Sequence, residues 1–89
     1  MTIKIRVEGK VQGVYYRAST KDKARSLGLN GYVKNETDGS VTILASGEKA
    51  QIDDLLSWCK TGVDLARVDN IQYQQTADEI KCSSFDIKR

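Results

Sequence analysis

The 89-residue chain contains no histidine, no proline and only two cysteines, Cys59 and Cys82. Without histidine, Ser-His-Asp and Cys-His nucleophilic sites are impossible, as is any histidine-bearing zinc site. Two cysteines fit neither a metal cage nor a disulfide scaffold. No apolar run approaches the ~20 residues needed to cross a bilayer. Met1-Thr2-Ile3-Lys4-Ile5-Arg6 alternates and lacks the apolar centre of a signal peptide, so a cytoplasmic location is expected, where a Cys59–Cys82 disulfide is not. Aromatics are sparse, with one Phe, one Trp and four Tyr. Neither sign of charge dominates: 14 basic against 12 acidic residues leave +2. That balance is too weak to mark a nucleic-acid binder, yet it leaves room for a local basic pocket suited to a small anion.

What is present reads as one folded domain over residues 1–89. Ile3, Ile5 and Val7 alternate with polar neighbours, the period of a strand with one wet face, and Gly9 to Gly13 interrupts it. From Tyr16 to Leu27 the chain favours helix, with Tyr16, Thr20, Ala24 and Leu27 on one stripe and Gly28 as its stop. Gly31 to Glu36 and Ser40 to Ala45 read as a hairpin around Thr37-Asp38-Gly39. Ile52, Leu55, Leu56 and Cys59 follow i, i+3, i+4, i+7, with Glu48 in the first helical turn and Gly62 beyond the last. Ala66 to Gln75 is a polar strand, and Phe85 to Lys88 a short closing one. The order β-α-β-β-α-β, with a short extra C-terminal strand, predicts an α+β ferredoxin-like sandwich. Its antiparallel sheet carries both helices on one face.

Two stretches carry chemistry. In Gly9-Lys10-Val11-Gln12-Gly13-Val14-Tyr15-Tyr16-Arg17 a strand turns through glycine and enters a helix with arginine in its first turn. Glycine lets successive N–H groups converge, a helix start adds orphan donors, and a guanidinium fits phosphate. The stretch is thus a candidate oxyanion cradle, with Arg17 as its charge. On spacing alone, an ordinary strand-to-helix turn with Arg17 solvated or paired to an acid fits equally. In the second stretch, Gly31 to Val41, Asn35 ends a strand before a turn, a place where ordinary turn chemistry is the simpler account. Val11 and Val14 read as core plugs under the loop, and Tyr15 and Tyr16 as half-buried supports, not as an acyl pocket.

Gly-x-Val-Gln-Gly-Val-x-x-Arg at 9–17, then Gly-Tyr-Val-Lys-Asn-x-x-x-Gly-x-Val at 31–41 and Gly47, resembles the two signatures of the acylphosphatase family. Leu65-Ala66-Arg67-Val68 and Phe85-x-Ile87 extend the resemblance over nearly the whole chain. Departures are Tyr15-Tyr16, where Phe or Trp is frequent, and Gly62-Val63, where Gly-Pro is common. The resemblance implies a phosphate-binding role for Arg17, a water-orienting role for Asn35 and a phosphate cradle from the backbone of Gln12 to Tyr16. It also implies a ferredoxin-like sandwich, no cofactor or metal, and hydrolysis of acyl phosphates to a carboxylate and inorganic phosphate. The expected partners are therefore a small acyl phosphate and its phosphate product, with no nucleic acid and no membrane, acting on a monomer.

The chemistry agrees. A mixed carboxylic-phosphoric anhydride expels a carboxylate whose conjugate acid has a pKa of about 4. Such a group departs unprotonated, so a site without histidine suits acyl phosphates and poorly suits monoesters. The same architecture serves RNA-binding domains, but those need aromatics on the inner strands, where this chain carries Val, Ile, Thr and Ser. A module that binds an acyl phosphate without turning it over is a further alternative. A third concerns Gln72-Tyr73-Gln74-Gln75, a weakly charged stretch suited to an edge strand that self-associates.

Overall fold

The structure is a computed structural model that describes residues 1–63, 66–77 and 83–88. Leu65 and Cys82, singled out above, lie outside the described residues. The elements are β1 (Thr2–Lys10), α1 (Tyr16–Ser26), β2 (Asn30–Asn35), β3 (Val41–Ser46), α2 (Lys49–Thr61), β4 (Arg67–Gln75) and β5 (Phe85–Ile87). They form one five-stranded sheet in the order β4-β1-β3-β2-β5. The four long strands are antiparallel to their neighbours, as expected. The closing strand is the exception: β5 pairs with β2 in parallel, so the sheet is mixed. The Gln-rich stretch lies on β4, at the opposite edge of the sheet from β5.

Register explains the two faces. Ile3, Ile5 and Val7 of β1 sit opposite Ala45, Ile43 and Val41 of β3, and Gly31 and Val33 of β2 continue the same rows. All these apolar residues are buried with Ile52, Leu55 and Cys59 of α2 and Tyr16 and Ala24 of α1. Burying such side chains contributes roughly 1.5–3 kcal/mol each and is the main force holding the layers together. The helices end by specific chemistry. Gly28 N–H donates to the Arg25 carbonyl and Leu29 N–H to the Ala24 carbonyl, both at 3.0 Å, closing α1 as a Schellman motif. Glu48, expected in the first turn of α2, is its N-cap instead, and its N–H donates to Gln51 Oε1 at 2.8 Å.

Strand β1 runs further than its sequence suggests, through Gly9 and Lys10. The continuation is a β-bulge: Glu8 pairs with Asn70 but Gly9 with Val68, leaving Asp69 as the extra residue. Val68 and Ile71, three apart, therefore both pack on the core side, which a regular period of two forbids. Gly9 makes this possible. Its φ is +133°, and a Cβ there would lie 2.1 Å from the Arg67 carbonyl oxygen. Among the described residues, no helix is long and apolar enough to cross a membrane.

Candidate active site

The cradle loop begins where the bulged end of β1 leaves the sheet. Val11 and Val14 are buried and pin it from below, as the sequence suggested. Between them, Gln12 turns its side chain away from the loop, and its Nε2 donates to the carbonyls of Glu36 at 2.8 Å and Ser40 at 2.9 Å. The Ser40 carbonyl also accepts the Glu36 N–H at 2.8 Å. Gln12 thus bolts the loop to the β2–β3 turn, one residue beyond Asn35. The turn is itself ordered by Asp38, whose carboxylate accepts from the Ser40 N–H and hydroxyl and from Arg6. These donors hold the Asp38 carboxyl well below the usual range, Ser40 contributing most.

On either side of Val14 the backbone turns left-handed. Gly13 has φ +72° and Tyr15 φ +65°, the latter the one described non-glycine residue with positive φ. Left-handed backbone costs a tyrosine about 1–2 kcal/mol. What it accomplishes is a concave run of amides that ends at the start of α1. Tyr15 is the N-cap, no side chain caps the helix and no acid lies in its first turn. Ser19 N–H returns to the Tyr15 carbonyl at 3.0 Å, so the N–H groups of Tyr16, Arg17 and Ala18 have no intrahelical acceptor. Orphan donors and the positive end of the helix dipole together suit an anion.

A cavity of about 330 Å³ opens over these amides, lined by Val11, Gly13, Tyr15, Tyr16, Arg17, Ala18 and Ile87. Arg17 is half-buried in it. Among the described residues Arg6, Arg25 and Arg67 each hold a carboxylate, whereas Arg17 holds none. The acid-paired reading of Arg17 therefore fails among the described residues. Of the other expected cradle residues, Gly13, Tyr15 and Tyr16 line the cavity, while Val14 lies beneath it and Gln12 beside it. Ala18 and Ile87 escaped the sequence reading. Ala18 could have been found, because its N–H is among the first of a helix and must be orphaned. Ile87 could not, because only the parallel pairing of β5 with β2 brings it there.

Asn35 does not line this cavity. It is the last residue of β2, opposite Val41, on the sheet face that carries Val33 and the helices. Its Oδ1 is buried without a hydrogen-bond partner, a condition that ordinary turn chemistry would not leave. The two tyrosines separate sharply. Tyr16 is 1% exposed, and its hydroxyl donates to the Cys59 carbonyl at 2.9 Å. It is a core support that joins α1 to α2. Tyr15 is 76% exposed, so neither tyrosine is half-buried as expected: Tyr16 lies deeper and Tyr15 further out. The left-handed backbone turns its side chain outward while its neighbours point in. Cys59 is fully buried, as expected of a core thiol, and burial pushes its pKa up to about 12.

Comparison with known proteins agrees with this geometry. The acylphosphatase family model matches residues 3–87. An acylphosphatase of Marinobacter nauticus is 55% identical over 69 residues, covering 78% of this chain and 75% of the relative. One from Methylococcus capsulatus is 41% identical over 87 residues, covering 98% and 95%. The crystal structure of acylphosphatase from Bacillus subtilis superimposes with a TM-score of 0.94 at 31% identity, covering 99% of this chain and 98% of that one. With the match running from β1 to β5, the chain belongs to the acylphosphatase family, and its reaction is the hydrolysis of acyl phosphates.

Proposed function

We propose that hydrolysis proceeds by in-line attack of a water oriented by Asn35 on a phosphoryl group held by Arg17 and the backbone N–H groups of the Gln12–Tyr16 loop, continued by those of Arg17 and Ala18. Phosphoryl transfer passes through a loose transition state with charge spread over three equatorial oxygens. The work is therefore positioning and electrostatic stabilisation. Arg17 and the orphan amides face those oxygens. The Asn35 carboxamide accepts a hydrogen bond from the attacking water through Oδ1 and so aims the water's lone pair at phosphorus, opposite the acyl oxygen; the water's proton stays on the phosphate product. The carboxylate leaves unprotonated, so no general acid is required.

The observation that carries this reading is a pair of unmet demands. A guanidinium without a carboxylate stands beside three uncapped amides, and a buried carboxamide oxygen without a donor lies on the same side of the sheet. Arg17→Ala and Asn35→Ala test it with benzoyl phosphate, whose hydrolysis is followed by ultraviolet absorbance. Each should lower turnover about a hundredfold or more with the fold intact. Arg17→Ala should also weaken competition by inorganic phosphate, whereas Asn35→Ala should act mainly on kcat. Near-wild-type turnover in a folded Asn35→Ala protein would remove the water-orienting role. The single domain over residues 1–89, the monomeric state and the cytoplasmic location belong to the same proposal. Sedimentation velocity checks the second against pairing through the β4 edge.

A further inference from the structure

The phosphoryl group accounts for only part of the cavity beside Arg17. Phosphate has five heavy atoms, and a space of about 330 Å³ reaches the range of pockets that hold whole small molecules. What lies beyond the amides is apolar: Ile87 on β5, the flank of Ala18 and the Tyr15 ring. An exposed aromatic residue is by itself unremarkable on a protein surface. Tyr15 differs in two respects. It is exposed by a backbone conformation that tyrosine avoids, between two residues that are buried, Val14 and Tyr16. It also shares one cavity with Arg17. Its ring has no aromatic or cationic partner among the described residues; Tyr16 meets Trp58 at a tilt, and Lys88 lies over Tyr32.

We infer that Tyr15 is the residue that selects the acyl half of the substrate, its ring and Ile87 flanking a flat, aromatic acyl group whose phosphate sits on the amides at the start of α1. This inference rests on the hydrolytic reading above. It makes Tyr15 a specificity determinant through its side chain, in addition to the backbone role it shares with its neighbours. Aryl acyl phosphates would pack ring against ring, while acetyl phosphate, with one methyl group, would reach neither wall.

The test compares kcat/KM for benzoyl phosphate with that for acetyl phosphate in the wild type, Tyr15→Asn, Tyr15→Gly and Tyr15→Phe. Asn and Gly tolerate the left-handed backbone, so either variant removes the ring without adding strain. Any effect on the cradle acts on the phosphoryl group common to both substrates and cancels in the ratio. The benzoyl-to-acetyl ratio should fall roughly fivefold to tenfold in Tyr15→Asn and Tyr15→Gly, and Tyr15→Phe should keep it within about twofold of wild type. A ratio unchanged in Tyr15→Asn and Tyr15→Gly, or lowered as far by Phe as by Asn, overturns the inference while leaving the hydrolase reading intact. Wild-type protein that releases phosphate from neither substrate overturns both.

Discussion

At the scale of single residues, the proposed site depends on side chains that stand outside it. Gln12 is the clearest. Its two hydrogen bonds join the loop before α1 to the turn beyond Asn35, so they set the distance between the two halves of the proposed site. Gln12→Ala should destabilise the protein by about 1–2 kcal/mol, the worth of two hydrogen bonds to otherwise paired carbonyls. It should also lower kcat about tenfold, because Asn35 loses its fixed position relative to the cradle. Thermal unfolding and benzoyl phosphate kinetics on one preparation separate the two effects. Gln12→Glu should be worse on both counts, since a carboxylate would then face two carbonyl oxygens. Cys59 contributes differently. Its folded-state pKa, near 12, lies above the ordinary thiol value of about 8.5. The unfolded chain therefore ionises first, and the thiol's contribution to stability is complete below that value and lost as pH rises towards 12. The stability gap between wild type and Cys59→Ala, measured by urea unfolding, should narrow between pH 8 and pH 11.

At the scale of elements, two strand ends do unequal work. The β1–β4 bulge lets Val68 and Ile71 share the core side and lies at the end of β1, just before the proposed phosphate loop. Gly9→Ala would drive a methyl group into the Arg67 carbonyl and strain a positive φ. A loss of about 2 kcal/mol or more is expected, read as a lowered unfolding midpoint, with weakened phosphate binding as its functional echo. The three-residue β5 is held by its fully buried Phe85 and by Arg25, whose Nε donates to the Phe85 carbonyl at 2.7 Å and whose Nη2 meets Asp86 at 2.6 Å. That ion pair is exposed and contributes little, so the phenyl ring is the anchor. Phe85→Ala should cost about 3–5 kcal/mol. Because Ile87 leaves with the strand, hydrogen exchange at the β2 amides should accelerate in the same variant.

At the scale of the whole molecule, β1 is laid between β3 and β4, and its pairing with β4 joins residues 3–10 to residues 67–75. Such pairing closes long loops and makes folding slower than in helical proteins of this size. One source of slow phases is nevertheless missing. With no proline in the sequence, X-Pro isomerisation cannot limit refolding. Refolding of this chain after long incubation in denaturant should therefore show no phase in the range of tens of seconds that a prolyl isomerase accelerates. Stopped-flow fluorescence of Trp58, whose ring meets that of Tyr16 at a tilt with centroids 5.5 Å apart, would follow it.

Much of this protein was determined by its sequence alone. Alternation in β1 and β3, the helical period of α2 and the glycine at the end of α1 are local signals, and local geometry obeyed them. Arg17 and the loop before it were legible for the same reason, since a glycine turn entering a helix exposes amides wherever it occurs. Tertiary structure decided what depends on residues far apart in the chain. One bulged residue of β4, Asp69, puts Val68 and Ile71 on one face. A parallel pairing carried Ile87 to the cavity, and a glutamine reached across 24 positions to hold the turn that bears Asn35. The outward Tyr15 belongs with these. Both tyrosines look alike in sequence, and only a backbone forced into the left-handed region by the closure of the loop sends one to the core and the other to the rim.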